Sequence, residues 1–156
     1  QAILLISLIF GLLYFLKSGG SVSSLPFLPA VTSSGTLLIN DNKIKVEIAD
    51  TRSARNKGLA GRERLATGAG MLFVFDKFDK YSFWMKGLKF PLDFVFIKDN
   101  KVVDIIQNVP PPLAGEKDQN LPIYIPKVEV DKVLEVSAGT VKSLNIKEGD
   151  VVKLNR

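Results

Sequence analysis

Two carboxylates, Asp93 and Asp104, stand in otherwise apolar runs on either side of Asp99-Asn100, a residue pair suited to the positive φ of a tight turn. If that pair makes the turn, Ile97 faces Val102, Val95 faces Asp104 and Asp93 faces Ile106. Both acids then share one face as diagonal neighbours, roughly 7 Å apart. Half-buried carboxylates at that distance drive each other's pKa values apart, which suits one as proton donor and the other as base. Clustered oxygens also attract hard cations such as calcium or magnesium. Asp93 and Asp104 are therefore the catalytic candidates. A plainer reading gives them no chemistry: Asp93 accepts hydrogen bonds from Arg62, Lys86 or backbone amides, and Asp104 lies at a wet edge. A register change of one residue would put the acids on opposite faces.

A second group of residues offers recognition. Tyr81 to Lys86 alternates, with Tyr81, Phe83 and Met85 on one side and Ser82, Trp84 and Lys86 on the other. A Trp set beside Ser and Lys can stack on a sugar or another planar ligand, or it can close one end of a barrel through its indole N–H. Arg52, Arg55, Lys57, Arg62 and Arg64 fall close together. They form either an anion site or a solvated helix face with arginines paired to carboxylates elsewhere. Trp84, Lys86, Arg62 and Asp93 are the ligand-binding candidates.

Composition narrows the chemistry. The 156 residues include no Cys and no His. Ser-His-Asp and Cys-His nucleophiles, thiolate or imidazole zinc sites and haem ligation are thus unavailable, and no disulfide supports the fold. A length of 156 residues with 46% hydrophobic content suits one domain with a substantial core. The net charge of +5 is spread along the chain without a nucleic-acid motif, so nucleic acid is not an expected partner. No metal site and no cofactor are expected.

The elements that must position these residues follow from patterning. Ala2 to Leu16 is apolar except for Ser7 and Gly11 and is closed by Lys17, so residues 1–17 read as a signal anchor or a signal-peptide core. Residues 18–35 form a Ser/Gly/Pro linker, and the domain occupies 36–156. Thr36 to Ala49 reads as a hairpin turning at Asp41-Asn42, with Leu37, Ile39, Ile44, Val46 and Ile48 on its core face. Asp50 or Thr51 caps a helix that Gly58 ends. Gly70–Phe75, Tyr81–Lys86, Leu92–Ile97, Val102–Gln107, Val133–Ala138 and Val151–Leu154 read as strands, with a short helix from Gly139-Thr140. Between Asn108 and Val128 five prolines interrupt a long connection in which Leu121 to Ile125 resembles a brief strand; such a segment is either a lid over a cleft or a cover on a sheet edge. Short strands, one or two helices and no βα repetition predict an α+β, mainly β domain around a partly closed barrel.

KGLAGRERL (Lys57 to Leu65), GMLFVF (Gly70 to Phe75), FWMKGLKFPLDFVFI (Phe83 to Ile97) and VLEVSAGTVKSLNIKEGDVV (Val133 to Val152), in this order, resemble the DUF192 family of unknown function. The resemblance covers nearly all of the chain after Thr36. It implies a small, mainly β domain, often carried behind a signal or membrane anchor, and no particular activity. Where the family commonly has Met this chain has Ala60, and where it has Asn-Thr this chain has Gly87-Leu88.

Two functions from different classes are consistent with these residues. One is a membrane-tethered or exported extracytoplasmic module that binds a small molecule, a glycan or an envelope protein through Trp84, Lys86, Arg62 and Asp93. The other is a hydrolase or lyase acting on a glycan-like substrate through Asp93 and Asp104.

Overall fold

The computed structural model describes residues 32–156; the apolar run and most of the expected linker lie outside the described residues. Among the described residues no helix is long and apolar enough to cross a membrane. The elements are β1 (Ser33–Ile39), β2 (Asn42–Ala49), α1 (Arg52–Lys57), β3 (Ala69–Asp79), β4 (Leu92–Lys98), β5 (Lys101–Val109), a 3-10 turn (Asp118–Asn120), β6 (Val130–Ser137), α2 (Thr140–Ser143) and β7 (Val152–Asn155). Ser33, Ser34 and Gly35 thus belong to a strand rather than to a linker.

The seven strands form one sheet in the order β5-β4-β6-β3-β2-β1-β7. Only β2 and β3 run parallel, because α1 carries the chain across between them. At its far edges the sheet curls back on itself. Lys101 bridges Val151, the Val152 N–H donates to the Asn100 carbonyl at 2.9 Å, and the Val102 N–H donates to the Asp150 carbonyl at 2.9 Å. This contact bends the sheet into a mainly β half-barrel with two short helices.

Local sequence accounts for most of these elements. In the first hairpin Ile39 pairs with Asn42, so the turn is Asn40-Asp41, with Asn40 at φ 53°, one position before the expected one. That moves the pairing by two residues and keeps every side chain on its expected face; Leu37, Ile39, Ile44, Val46 and Ile48 are all buried. The Thr51 hydroxyl caps α1 by accepting from the Ala54 N–H at 3.1 Å, and Gly58, at φ 48°, ends the helix. Tyr81–Lys86 does not become a strand. Its one bridge is Phe83 to Tyr124, because the chain facing it carries Pro122 and Pro126, which lack the N–H groups a longer ladder needs.

Both faces of the sheet are covered. Within the half-barrel, Leu72, Val95, Ile97, Leu134 and Val136 pack with the first hairpin and with Val141 of α2. On the outer face lie Met71, Phe73, Phe94 and Phe96, roofed by Phe83, whose ring meets those of Phe73 at 5.3 Å and Phe94 at 5.8 Å. β4 is consequently buried along almost its whole length.

The second hairpin corrects an expectation. Its turn is Asp99-Asn100, with Asp99 at φ 54°, and Ile97 pairs with Val102. The register then shifts at a bulge around Val103, so Phe96 faces Asp104 and Phe94 faces Ile106. Directly opposed residues point to the same side of a sheet, and residues three apart on a strand point to opposite sides. Asp104 therefore shares the outer face with Phe96, while Asp93 points into the half-barrel with Val95 and Ile97. The two acids are not diagonal neighbours.

Asp93 is fully buried, at 0% exposure. One carboxylate oxygen accepts from the Asn108 N–H at 2.9 Å and the other from the Val141 N–H at 3.0 Å. It thus pins the end of β5 and supplies an acceptor for an amide that the first turn of α2 would leave free. Replacing Asp93 by Ala strands two buried N–H groups and leaves a void, so Asp93→Ala should destabilise the fold by about 3 kcal/mol. Thermal unfolding would show a melting temperature about 10 °C lower; an unchanged melting temperature would remove this role from Asp93.

Candidate functional site

Glu135 lies at the centre of β6, opposite Met71 on β3 and Phe94 on β4. Its side chain therefore points to the outer face, beneath the aromatic roof, and the residue is only 5% exposed. Among the described residues no hydrogen bond or ion pair reaches its carboxyl, and burial alone pushes its pKa up to about 8. A carboxylic acid there keeps its proton at neutral pH and is a hydrogen-bond donor as well as an acceptor. No fully enclosed side-chain oxygen or nitrogen among the described residues lacks a partner. Glu135 lines a cavity of about 530 Å³.

Two loops enclose that cavity. The first leaves α1 through Gly58 and brings Leu59 and Ala60 over the sheet; the second is the segment from Tyr81 to Leu88. The Gly61 N–H donates to the Gly87 carbonyl at 2.8 Å and joins the two loops. A Cβ on Gly87 would come within 3.2 Å of the Ala60 Cβ, and Gly87 adopts φ 70°, where side chains are strained. Ala60 and Gly87, two positions where the chain departs from the pattern it resembles, are thus neighbours in the cavity wall. Phe83 is held by paired backbone bonds to Tyr124, at 2.9 and 2.8 Å.

Charge gathers at the mouth. Arg55, Lys57 and Lys86 line the opening. The Arg55 guanidinium donates to the carbonyls of Asp50 at 2.7 Å and Val74 at 2.8 Å and lies 5.2 Å from the centre of the Phe75 ring. The Lys86 ammonium pairs with Asp118 at 2.6 Å and sits 5.2 Å from the Trp84 ring centre, so it ties the Trp-bearing loop to the Pro-rich connection. Tyr81, also in the wall, stacks on Phe75 at 3.5 Å; burial, and then the charge of Asp79, raise its phenol pKa.

Of the four ligand-binding candidates the cavity brings together Trp84 and Lys86, and from the basic cluster it adds Arg55 and Lys57. Trp84 is 48% exposed at its edge, an apolar surface facing solvent. Arg62 does not line the cavity. It grips Glu47 of β2 with both terminal nitrogens, which lowers the Glu47 pKa and raises its own. Asp93 lies on the other side of the sheet. Asp104 is on the outer face, 2% exposed and away from the cavity. Its oxygens accept from the N–H groups of Ile105 and Lys127 at 2.9 Å and from the Lys127 ammonium at 2.8 Å. Burial alone would raise its pKa, but these contacts outweigh burial and hold the carboxyl below its ordinary value.

Glu135 is the residue that sequence reasoning missed. VLEVS alternates like a strand with one wet face, so the acid passes for a solvent-facing residue. A signal for a covered second face lay in the Phe residues spaced at alternate positions on Gly70–Phe75 and Leu92–Ile97, Phe73, Phe75, Phe94 and Phe96.

Solved structures share this fold. A protein provisionally assigned as a transcription regulator from Sinorhizobium meliloti is 30% identical, with a TM-score of 0.69 over 81% of this chain and 96% of its own. A protein of unknown function from Novosphingobium aromaticivorans is 27% identical, with a TM-score of 0.68 over 83% of this chain and 89% of its own. No curated protein matches. The model of DUF192, described as an uncharacterized ACR, matches residues 35–154, and the chain belongs to that family.

Proposed function

We propose that this chain is a binding module presented outside the cytoplasm by its N-terminal apolar segment, and that it holds a small organic ligand in the cavity above Glu135. The observation that carries this reading is the buried carboxyl of Glu135, which lines a cavity and has no hydrogen-bond or ion-pair partner among the described residues. The cavity volume of about 530 Å³ lies within the range of small-molecule sites, and it sets charged and polar groups beside aromatic walls, as such sites do. Trp84 and Lys86 keep the recognition role the sequence assigned them. Arg62 and Asp93 instead serve the scaffold that holds the loops and the sheet. The hydrolase reading loses its acid-base pair, because Asp93 and Asp104 face opposite ways with their oxygens already occupied.

Holding Glu135 in place costs the fold stability. In the unfolded chain its carboxyl ionises above its ordinary value of 4.5, whereas in the folded chain it stays protonated up to about 8. Over that window the unfolded state binds fewer protons, so stability falls as pH rises, by about 1.4 kcal/mol per unit. Glu135→Gln has no such ionisation. It should stabilise the protein by about 3 kcal/mol at pH 7 and by almost nothing below pH 4.5. Urea unfolding of both proteins across pH would measure this, and equal stabilities throughout would mean that Glu135 is solvated or paired.

Presentation outside the cytoplasm is tested separately. Alkaline phosphatase fused after Arg156 of the full chain should be active in bacterial cells, since that enzyme matures only where disulfides form. An inactive, fully expressed fusion would place the domain in the cytoplasm.

A further inference from the structure

We infer that the cavity takes an organic anion with a flat aromatic body, its charge at the mouth beside Lys57 and Lys86 and a hydroxyl or carbonyl oxygen at the floor against Glu135. This deepens the binding reading above and rests on it. The first support is the division of charge within one enclosure. Among the described residues, Arg55, Lys57 and Lys86 line the wall as cations, and Glu135 is the sole acidic side chain in the lining. Since Glu135 is neutral at pH 7, the lining carries an excess of positive charge that a neutral ligand would leave unused and a cation would oppose.

The second support is where those charges stand. Lys57 and Lys86 are exposed, while Glu135 is buried against Met71 and Phe94. Arg55 already has two carbonyl acceptors and a ring beneath it, so the lysines are better placed to receive a new anion, with Asp118 giving up part of its hold on Lys86. Much of the remaining lining is aromatic or aliphatic, with Phe73, Phe83, Trp84, Leu59 and Leu88 beside the polar Asn56, Tyr81 and Ser82. A flat ring fits such walls by stacking or edge contact. The floor then asks for an oxygen acceptor, because a protonated carboxyl without a partner has a free O–H.

The test uses the full chain and two nearly isosteric probes, para-hydroxybenzoate and its neutral counterpart para-hydroxybenzamide, followed by calorimetric titration. The benzoate should bind about tenfold more tightly than the benzamide. Lys57→Gln and Lys86→Gln should weaken the benzoate alone, whereas Glu135→Leu should weaken both probes by removing the donor at the hydroxyl end. Lys153→Gln, a charge loss on exposed β7, serves as the control and should change neither. Equal binding of the two probes, indifferent to the lysine substitutions, would overturn the anion inference and leave the binding reading standing. If neither probe binds at concentrations on the order of millimolar, both readings fail.

Discussion

A carboxyl group cannot be buried without an answer to its charge, and this half-barrel depends on three such answers. Covering both faces of the sheet takes most of β4 and the middle of β6 out of water, and among the described residues Asp93, Asp104 on the adjoining β5, and Glu135 are the buried acids. Asp93 is answered by two backbone amides, which fixes α2 and the end of β5 against the inner face. Asp104 is answered by two amides and an ammonium, which fastens the Pro-rich connection where it rejoins the sheet at Lys127. Glu135 has no such partner among the described residues and is answered by keeping its proton. Only the third leaves hydrogen-bonding capacity unspent.

The same contrast explains why the two loops sit where they do. Strands β3 and β6 approach so closely that a Cβ on Gly70 would lie 2.7 Å from the Glu135 carbonyl oxygen. The neighbouring outer-facing residues, Met71 and Glu135, are thereby held side by side. Phe73 and Phe94 then offer rings on which Phe83 can settle, and Phe83 draws the Trp84 loop over the sheet. Because Ala60 and Gly87 are small, the two loops meet by backbone contact and leave the space beneath them open. Packing thus decides the cavity as much as any polar group does.

Periodicity made the scaffold legible and left the site obscure. The first hairpin, the Thr51 cap, the Asp99-Asn100 turn and the short helix with Val141 inward all follow from local rules, since each is settled by residues a few positions apart. The bulge at Val103 is different. Its cause is the need of β5 to curve around a half-closed sheet, a constraint set by β7 and the loop at Asp150, far along the chain. One extra residue there reversed the facing of Asp104 and dissolved the paired-acid site that simple alternation implies. Glu135 escaped notice for a related reason: alternation reports which residues share a face, but not whether another part of the chain covers it.

Whether Glu135 belongs to the scaffold or to a site turns on what the scaffold would lose without it. Glutamine fills nearly the same volume and donates and accepts hydrogen bonds without ever charging, and Met or Leu would pack against Met71 and Phe94 with no desolvation cost. A structural residue at this position thus gains nothing from being an acid, whereas Asp93 and Asp104 each hold two backbone N–H groups in a way no apolar residue could. What an acid adds at Glu135 is an O–H donor that meets no partner among the described residues, together with a charge that appears if a rise in pH removes the proton. The adjoining walls give that donor a direction: aromatic and aliphatic side chains lead from it outward to the lysines. Polarity at the two ends and apolar surface between them is the complement of an elongated amphipathic guest, and the scaffold alone does not require that arrangement.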